Sequence, residues 1–389
     1  MLIGQHITVL GGGIAGLAVA TALAQRGAQV TVLEQADAIR EVGAGLQISP
    51  NGVAVLRALG LERVLKQTCI RGRAVNLCDG PSGKRVLRLD MSAGEGGYYF
   101  VHRADLVDML ATAARAAGVR IRLLQQVTDI AFDEDGARLT MVQGAEVRAG
   151  LVLGADGLHS VLRGALNGVA APRFTGQVAW RATVPLNTVS DAEVKVFMGP
   201  GRHLVRYPLR EGKLMNIVAV EERSDWAEES WSTKDDPANL RAAFAGFAPE
   251  VRDLLAQVDE VFLWGLFRHP VAQVWQNGRA AILGDAAHPT LPFMAQGANM
   301  ALEDAWVLAA SLAGHDTPEA GLAAYQLARR DRCIEVVDAA SKNARNYHLT
   351  GPKRTAGHLA LKLVGAVAPD LMLRRFDWIY RHDVTRLTP

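Results

Sequence analysis

The sequence predicts an α/β fold. A parallel, helix-covered sheet is assembled from separated stretches of chain, a mainly antiparallel sheet is inserted into it, and helices close the C-terminus. Three observations lead there. Ile7-Thr8-Val9-Leu10 is a β-branched, apolar run that breaks into Gly11-Gly12-Gly13-Ile14-Ala15-Gly16 and then into a helical stretch ending near Arg26-Gly27. Two later runs, Leu151–Ala155 and Ala280–Leu283, are continuously apolar, as strands buried on both faces are. Between them, from Val178 to about Val220, the pattern changes to longer strands with turns at Gly199-Pro200-Gly201 and Glu211-Gly212.

The first unit carries the clearest chemistry. A second apolar run, Val30–Leu33, finishes on Glu34, which gives strand, glycine turn, helix, strand and terminal acid in order. A bound dinucleotide would give each part a task. Gly11 makes the tight turn, Gly13 lets the backbone approach a pyrophosphate, and Gly16 lets helix and strand pack closely. The helix N-terminus offers unpaired N–H groups and partial positive charge to phosphate. Glu34, eighteen residues past Gly16, can accept hydrogen bonds from a ribose diol. The unit reads as Rossmann-like.

Along the chain, Gly43–Gln47 lacks a helical period and reads as flexible, while Ser49-Pro50 caps and opens a helix to about Leu59. Arg73–Cys78 and Arg85–Met91 form a ribbon about Pro81-Ser82-Gly83. An amphipathic helix runs from Arg103 to about Ala117, with Leu106, Leu110 and Ala113-Ala114 at helical spacing. Short strands follow at 119–124, 126–133 and 137–148, with turns at Asp135-Gly136 and Gly144. Helices over Pro237–Phe244 and Pro249–Gln257 and a strand at Val261–Leu266 complete the inserted sheet. Helices at Gly297–Leu312 and Pro318–Ala344 and a helical tail from Ala356 end the chain. The cofactor domain is thereby expected over 1–72, 101–175 and 270–345. The substrate domain takes 73–100 and 176–269, with a C-terminal helical segment over 346–389.

Composition narrows the class. At 389 residues, 49% hydrophobic and 21% charged with net charge +2, the chain has the profile of a soluble globular protein and gives no reason to expect nucleic acid as a partner. Cys69, Cys78 and Cys333 are odd in number and lie far apart, without a CxxC pair, which argues against a disulfide framework and against a zinc site. The first strand begins almost at once, leaving no room for a signal peptide, and the longest C-terminal apolar stretch is interrupted at Lys362. A cytoplasmic protein without a membrane span, monomeric or homodimeric, is expected.

Three strand ends now stand out as glycines with an acid: Gly11–Gly16 taken with Glu34, Asp156-Gly157, and Gly284-Asp285. Ligands of parallel sheets bind beyond the carboxyl ends of strands, so these acids point to one site. The first motif, together with Asp156-Gly157-Leu158-His159-Ser160-Val161-Leu162-Arg163 and Gly284-Asp285-Ala286-Ala287-His288-Pro289, resembles those of the single-component flavoprotein aromatic hydroxylases. That group includes the salicylate, 3-hydroxybenzoate and 6-hydroxynicotinate hydroxylases, and the resemblance covers nearly the whole chain. It implies FAD as cofactor, NAD(P)H as reductant and O2 as co-substrate. A flavin hydroperoxide would pass one oxygen to a small, activated aromatic molecule: phenolic, benzoate-like or hydroxypyridine-like. NAD(P)H would bind transiently, since only one dinucleotide fingerprint is present. The same architecture also serves epoxidation or hydroxylation of isoprenoids and polyketides, and flavin-fold binding proteins without turnover.

The resemblance also implies roles for residues. Glu34 would hold the adenosine ribose, with Gln35 following it where relatives often have arginine. Arg103 would contact the FAD linker, Asp156 would shape the FAD and nicotinamide sites, and Asp285 would bind the ribityl or pyrophosphate part. Val127, Pro292, Gly297, Ala298 and Asn299 would complete the FAD site, the last four in a loop whose helix-start amides can stabilise negative charge on reduced flavin. Gln47 would touch both cofactor and substrate, and Val194, Arg206 and Phe293 the substrate. On the His203–Pro208 strand, His203, Val205 and Tyr207 share one face, while Leu204 and Arg206 share the other. A histidine and a phenol on one face suit removal of a ring-hydroxyl proton, either being the acceptor. Arg181 suits a substrate carboxylate or a structural ion pair.

Overall fold

The structure, a computed structural model, describes residues 2–39, 44–92, 96–134, 136–223, 233–368, 372 and 374–386; Gly43 of the segment read as flexible and Asp135 of a predicted turn lie outside them. The parallel sheet has the strand order Ala280–Ile282, Val152–Gly154, His6–Leu10, Gln29–Leu33, Arg120–Arg122. The first strand of the chain is therefore central, with later strands added on both sides of it. The register aligns the strand ends: Leu10 pairs with both Leu33 and Gly154, and Gly154 pairs with Ile282. Because the ends are level, the segments that follow, at Gly11, Glu34, Ala155 and Leu283, emerge side by side. This is the switch point at which doubly wound sheets bind ligands.

Helix Ile14–Ala24 has no polar face, and its residues from Ile14 to Leu23 are all buried. It packs between helices Arg103–Ala116 and Gly297–Gly314 and against the sheet. Full burial of Leu17, Val19 and Leu23 contributes about 1.5–3 kcal/mol for each side chain.

The inserted sheet has eight strands in the order Lys234–Asp235, Val261–Arg268, Arg173–Pro185, Leu214–Glu222, Arg202–Leu209, Glu193–Gly199, Ala74–Asp79 and Arg85–Asp90. Its pairs are antiparallel except Glu193–Gly199 with Ala74–Asp79, which meet across a long connection and run parallel. One face is covered by helices Pro237–Ala243 and Pro249–Ala256. Trp180, Phe197, Leu204, Phe244 and Phe247 form the core there. The other face, with Val194, Val196, Val205 and Val218, looks toward the parallel sheet across a cavity.

Two elements differ from the sequence reading. The segment read as flexible contains a strand, Gly45–Ile48, which pairs antiparallel with Tyr99–His102; the latter also pairs with Ile70–Arg71. Its other partners are distant in sequence: Gly45 N–H donates to Asn216 Oδ1 at 2.7 Å, and the Gln47 carbonyl accepts from Asn299 Nδ2 at 3.0 Å. The C-terminal helix begins at Gly351 rather than near Ala356, with Pro352 in its first turn, where a missing N–H costs nothing. Among the described residues no helix is long and apolar enough to cross a membrane.

Candidate active site

A cavity of about 630 Å³ runs from the glycine turn to the inserted sheet. The glycine turn forms one end. Gly11 has φ +96°, and a Cβ there would lie 2.4 Å from the Ala155 carbonyl oxygen; a Cβ on Gly16 would lie 2.0 Å from the Gly11 oxygen. Both contacts let helix and strands close up, so Gly16 acts by packing and does not itself line the cavity. Gly13 faces open space, with nothing within 4 Å of a Cβ built on it. A phosphate can approach there. Glu34 is held by two backbone donors, Gly12 N–H to Oε2 at 2.6 Å and Ala36 N–H to Oε1 at 2.8 Å. Each oxygen keeps a lone pair for a ribose hydroxyl. Gln35 and Val127 line the cavity beside it, and Arg103 lies further along.

Asp156 and Asp285 meet the same cavity from adjacent strand ends. Asp156 Oδ2 accepts from Val161 N–H at 2.8 Å, which caps the short helix Val161–Asn167, while its Oδ1 is buried without a partner. Burial pushes its pKa up. Asp285 is exposed to the cleft. Its orientation is set beneath it by a buried charge cluster. Asp304 Oδ2 accepts from Gly284 N–H at 3.0 Å and bonds His288, while Oδ1 accepts from Arg329 at 2.8 Å. Arg329 and Arg332 also pair with the buried Glu303. His288 of the Gly284–Pro289 motif thus pins the turn, and Asp285 is left to face the ligand.

The loop Pro292–Met294 closes the cavity wall, and Ala295 (φ +52°) turns the chain into helix Gly297–Gly314. Pro292, Phe293, Gly297 and Ala298 line the cavity. Asn299 does not. Its Oδ1 accepts from Ser49 N–H at 3.0 Å and its Nδ2 donates to the carbonyls of Gln47 and Ala295, so it ties the Gly45–Ile48 strand to the helix start. Its side chain holds this position by bonds to protein groups alone.

At the far end stand His203, Tyr207, Gln47, Val194 and Phe293. Tyr98 donates to Gln47 Oε1 at 2.6 Å, and the Tyr207 phenol is buried beside them. Burial keeps the Tyr207 pKa well above the usual phenol value, with Arg181 acting against it. His203 is 2% exposed, and burial first, then the neighbouring His348, hold its pKa well below the ordinary histidine value. Arg206 points the other way. Strand alternation puts it under the covering helix, where it pairs with Glu250 and touches Met215 Sδ at 3.9 Å, so it does not reach the substrate side. Arg181 lies at the cavity wall, its guanidinium 4.5 Å from the Trp264 ring centre and its pKa lowered to about 10 by burial.

Three aromatic residues of the wall, Tyr98, Tyr347 and Tyr380, and the histidine behind His203, His348, were not singled out from sequence. The long helix Pro318–Tyr347 delivers Tyr347 and His348 from 145 residues away. Nothing local marks them.

An elongated cavity with a glycine turn at one end, acids along its side and an aromatic, apolar chamber at the other is shaped for a flavin dinucleotide beside a small ring. A model of the FAD binding domain matches residues 5–340. The chain belongs to this FAD-binding family. The flavoprotein is 36% identical over 362 residues to a 3-amino-4-hydroxybenzoate 2-monooxygenase of Streptomyces platensis, covering 90% of each chain. It is 33% identical to a 3-hydroxybenzoate 6-hydroxylase of Klebsiella oxytoca, covering 96% of this chain and 95% of that one. Klebsiella pneumoniae HpxO, solved with FAD and uric acid, superposes with a TM-score of 0.82 at 26% identity, covering 95% and 97%. The flavoprotein is an FAD-dependent monooxygenase of this aromatic-hydroxylase group. Its own residues fit the cofactor: the open space at Gly13, the two free faces of the Glu34 carboxylate and the unpartnered Asp156 Oδ1 are all places for FAD to bond.

Proposed function

We propose that the protein hydroxylates a small aromatic ring that already carries a hydroxyl group, with NAD(P)H and O2 as co-substrates. The observation that carries the reading is that His203 and Tyr207, on one face of strand Arg202–Leu209, both line the apolar end of the FAD cavity. Bound FAD supplies hydride acceptance and oxygen activation. The chain holds the ring and manages its proton. His203 accepts the ring-hydroxyl proton, and Tyr207, whose phenol stays protonated, donates a hydrogen bond to the oxygen left behind. Removing that proton raises electron density at the ortho and para ring carbons, which makes them better nucleophiles.

Val194, Val196, Val205 and Phe293 form apolar walls that keep water from the ring. Arg181, still cationic at neutral pH, favours a ring with an acidic substituent. Relatives named for hydroxybenzoates and an aminohydroxybenzoate support the same choice. A second cavity of about 1270 Å³ shares Arg103, His159 and Asp285 with the first and carries His102, Arg210 and Lys234. Asp259 and Glu260 line it too, and its junction with the first cavity suits transient docking of NAD(P)H. The free thiols Cys69, Cys78 and Cys333 suit a reducing, cytoplasmic setting.

The test is a panel of hydroxybenzoates, aminohydroxybenzoates, phenols and hydroxypyridines offered to the FAD-loaded protein. Stimulated NAD(P)H oxidation with a product one oxygen heavier is expected from a hydroxylated aromatic acid. Turnover confined to rings without a hydroxyl, or to non-aromatic compounds, would overturn the reading.

A further inference from the structure

Behind His203 the structure holds a chain of three titratable groups that ends at the surface. His203 Nδ1 lies 2.7 Å from His348 Nε2, and His348 Nδ1 lies 2.7 Å from Glu222 Oε1. His203 is buried at the cavity wall and the His348 side chain is 2% exposed, whereas that of Glu222 is 51% exposed. The sequence brings the three from the ends of two neighbouring strands and from the end of the long helix. A backbone contact, Gly201 N–H to the His348 carbonyl at 3.4 Å, holds that end against the sheet.

The direction of each bond follows from the chemistry of the donors. An ionised carboxylate only accepts, so His348 carries its proton on Nδ1. A neutral His348 then has a bare Nε2, which accepts from Nδ1–H of His203. His203 in turn has a bare Nε2, and that nitrogen makes no hydrogen bond to any described residue. Both imidazoles are neutral at rest, since burial lowers the pKa of each, with His348 adding to the effect on His203 and Glu222 opposing it on His348.

We infer that Glu222, acting through His348, fixes His203 as a proton acceptor toward the cavity and carries the accepted proton to the surface. The inference rests on the reading that the substrate bears a ring hydroxyl. In the forward run the substrate O–H proton passes to His203 Nε2, Nδ1–H of His203 passes to His348 Nε2, and Nδ1–H of His348 passes to the Glu222 carboxylate and then to water. One proton leaves the cavity and no electrons move. When the product oxygen regains a proton, the reverse run restores both tautomers. His348 and Glu222 are thus positioning and relay residues, and neither touches the ring.

The experiment uses the FAD-loaded protein labelled with ¹⁵N-histidine and recorded without substrate. Long-range ¹H–¹⁵N correlations report the tautomer of each ring, and the signals lost in His203→Gln and His348→Gln assign the two histidines. Both are expected as Nδ1–H tautomers in the wild type. In Glu222→Gln, where the amide can donate to His348, the His203 signal should move toward the Nε2–H tautomer although two rings separate it from the change. FAD retention and the melting temperature show that each variant is folded. With a ring-hydroxylated substrate from the panel above, His348→Gln should lower kcat by about 10²-fold, the low end for loss of an acid–base group, and leave KM unchanged. A panel without turnover sinks only the substrate reading, because the spectra need no substrate and still decide the assignment. An Nε2–H His203 in the wild type, an unmoved His203 signal in Glu222→Gln, or an unchanged kcat in His348→Gln overturns the inference.

Discussion

Asn299 and Gln47 are joined by a hydrogen bond of 3.0 Å between residues 252 positions apart, and the same Asn299 side chain accepts from Ser49 N–H at 3.0 Å. One amide thereby fixes the strand that carries Gln47, whose side chain accepts from Tyr98 at 2.6 Å. Asn299→Ala takes this partner from the part-buried carbonyls of Gln47 and Ala295 and from the buried Ser49 N–H. Such losses cost about 1–3 kcal/mol each, and chemical denaturation should register a drop in that range. Asn299→Asp keeps the acceptor for Ser49 and loses the donors, so it should fall between wild type and alanine. Stability equal to wild type in Asn299→Ala would show that the strand is held by other means.

Tyr207 packs its ring on Phe100, with centroids 5.4 Å apart. Tyr207→Phe keeps that contact and removes only the hydroxyl. Hydroxylation should slow by about 10²-fold or more while the melting temperature barely moves. Steady-state kinetics beside thermal melting separates the two effects, and an unaltered rate would leave Tyr207 as a packing residue.

Phe293 is 8% exposed and its ring centre is 5.8 Å from that of His203. Phe293→Ala opens the chamber to water. The expected result is NAD(P)H consumption that yields more hydrogen peroxide and less product, together with a stability loss of about 3–5 kcal/mol. Peroxide assay against product yield is the measurement. A variant that melts lower yet couples as well as wild type would assign the residue to the core alone.

The Asp304 carboxylate is buried among Arg329, His288 and Gly284 N–H, and despite burial, which acts against it, His288 and Arg329 hold its pKa far below the usual carboxylate range. Asp304→Asn removes the charge and leaves Arg329 and His288 less well compensated. A loss of about 3–5 kcal/mol is expected, with weaker FAD retention because the turn that presents Asp285 loosens. Flavin content after gel filtration and urea unfolding both report it.

His203 also gives a pH signature. Its folded pKa is lowered, so near pH 6.5 the unfolded chain takes up a proton that the folded chain refuses. Stability therefore rises with pH through that region, and the rise should be shallower in His203→Gln. His288 works in the opposite sense. Burial disfavours its charge, but Cys333 and Asp304 raise its pKa well above normal, so its contribution is present below about pH 6.5 and is lost as pH climbs through the raised value. Urea midpoints at about pH 5.5 and 7 for the wild type and for His203→Gln test the first sign. A steeper rise in the variant would reverse it.

Much of the cofactor half was legible because its signals are local. A glycine that must take φ +96°, a strand that ends in an acid and a helix that starts three residues later all lie within one stretch of chain. The facing of His203 and Tyr207 followed from a period of two, but the same period set Arg206 on the opposite face, against its expected place at the substrate. The relay was not legible. His348 is an unremarkable residue after a long helix, and only the packing of that helix brings it to His203. Gly45–Ile48 was missed for a similar reason, since the groups that satisfy its backbone, on Tyr99–His102, Asn216 and Asn299, are remote. His288 was placed in the right motif, yet its partner Asp304 sits one helix later, so its structural task could be seen only in three dimensions.

The inserted sheet has one further consequence, for how such a protein can change. Its two faces are separated by strand alternation, with the valines at 194, 196, 205 and 218 toward the cavity and Phe197, Leu204 and the Arg206–Glu250 pair toward the covering helices. Neighbouring positions along one strand therefore answer to different pressures. A library restricted to those four valines can reshape the chamber while the scaffold beneath keeps its packing, so substrate preference and foldability can drift independently within a single strand.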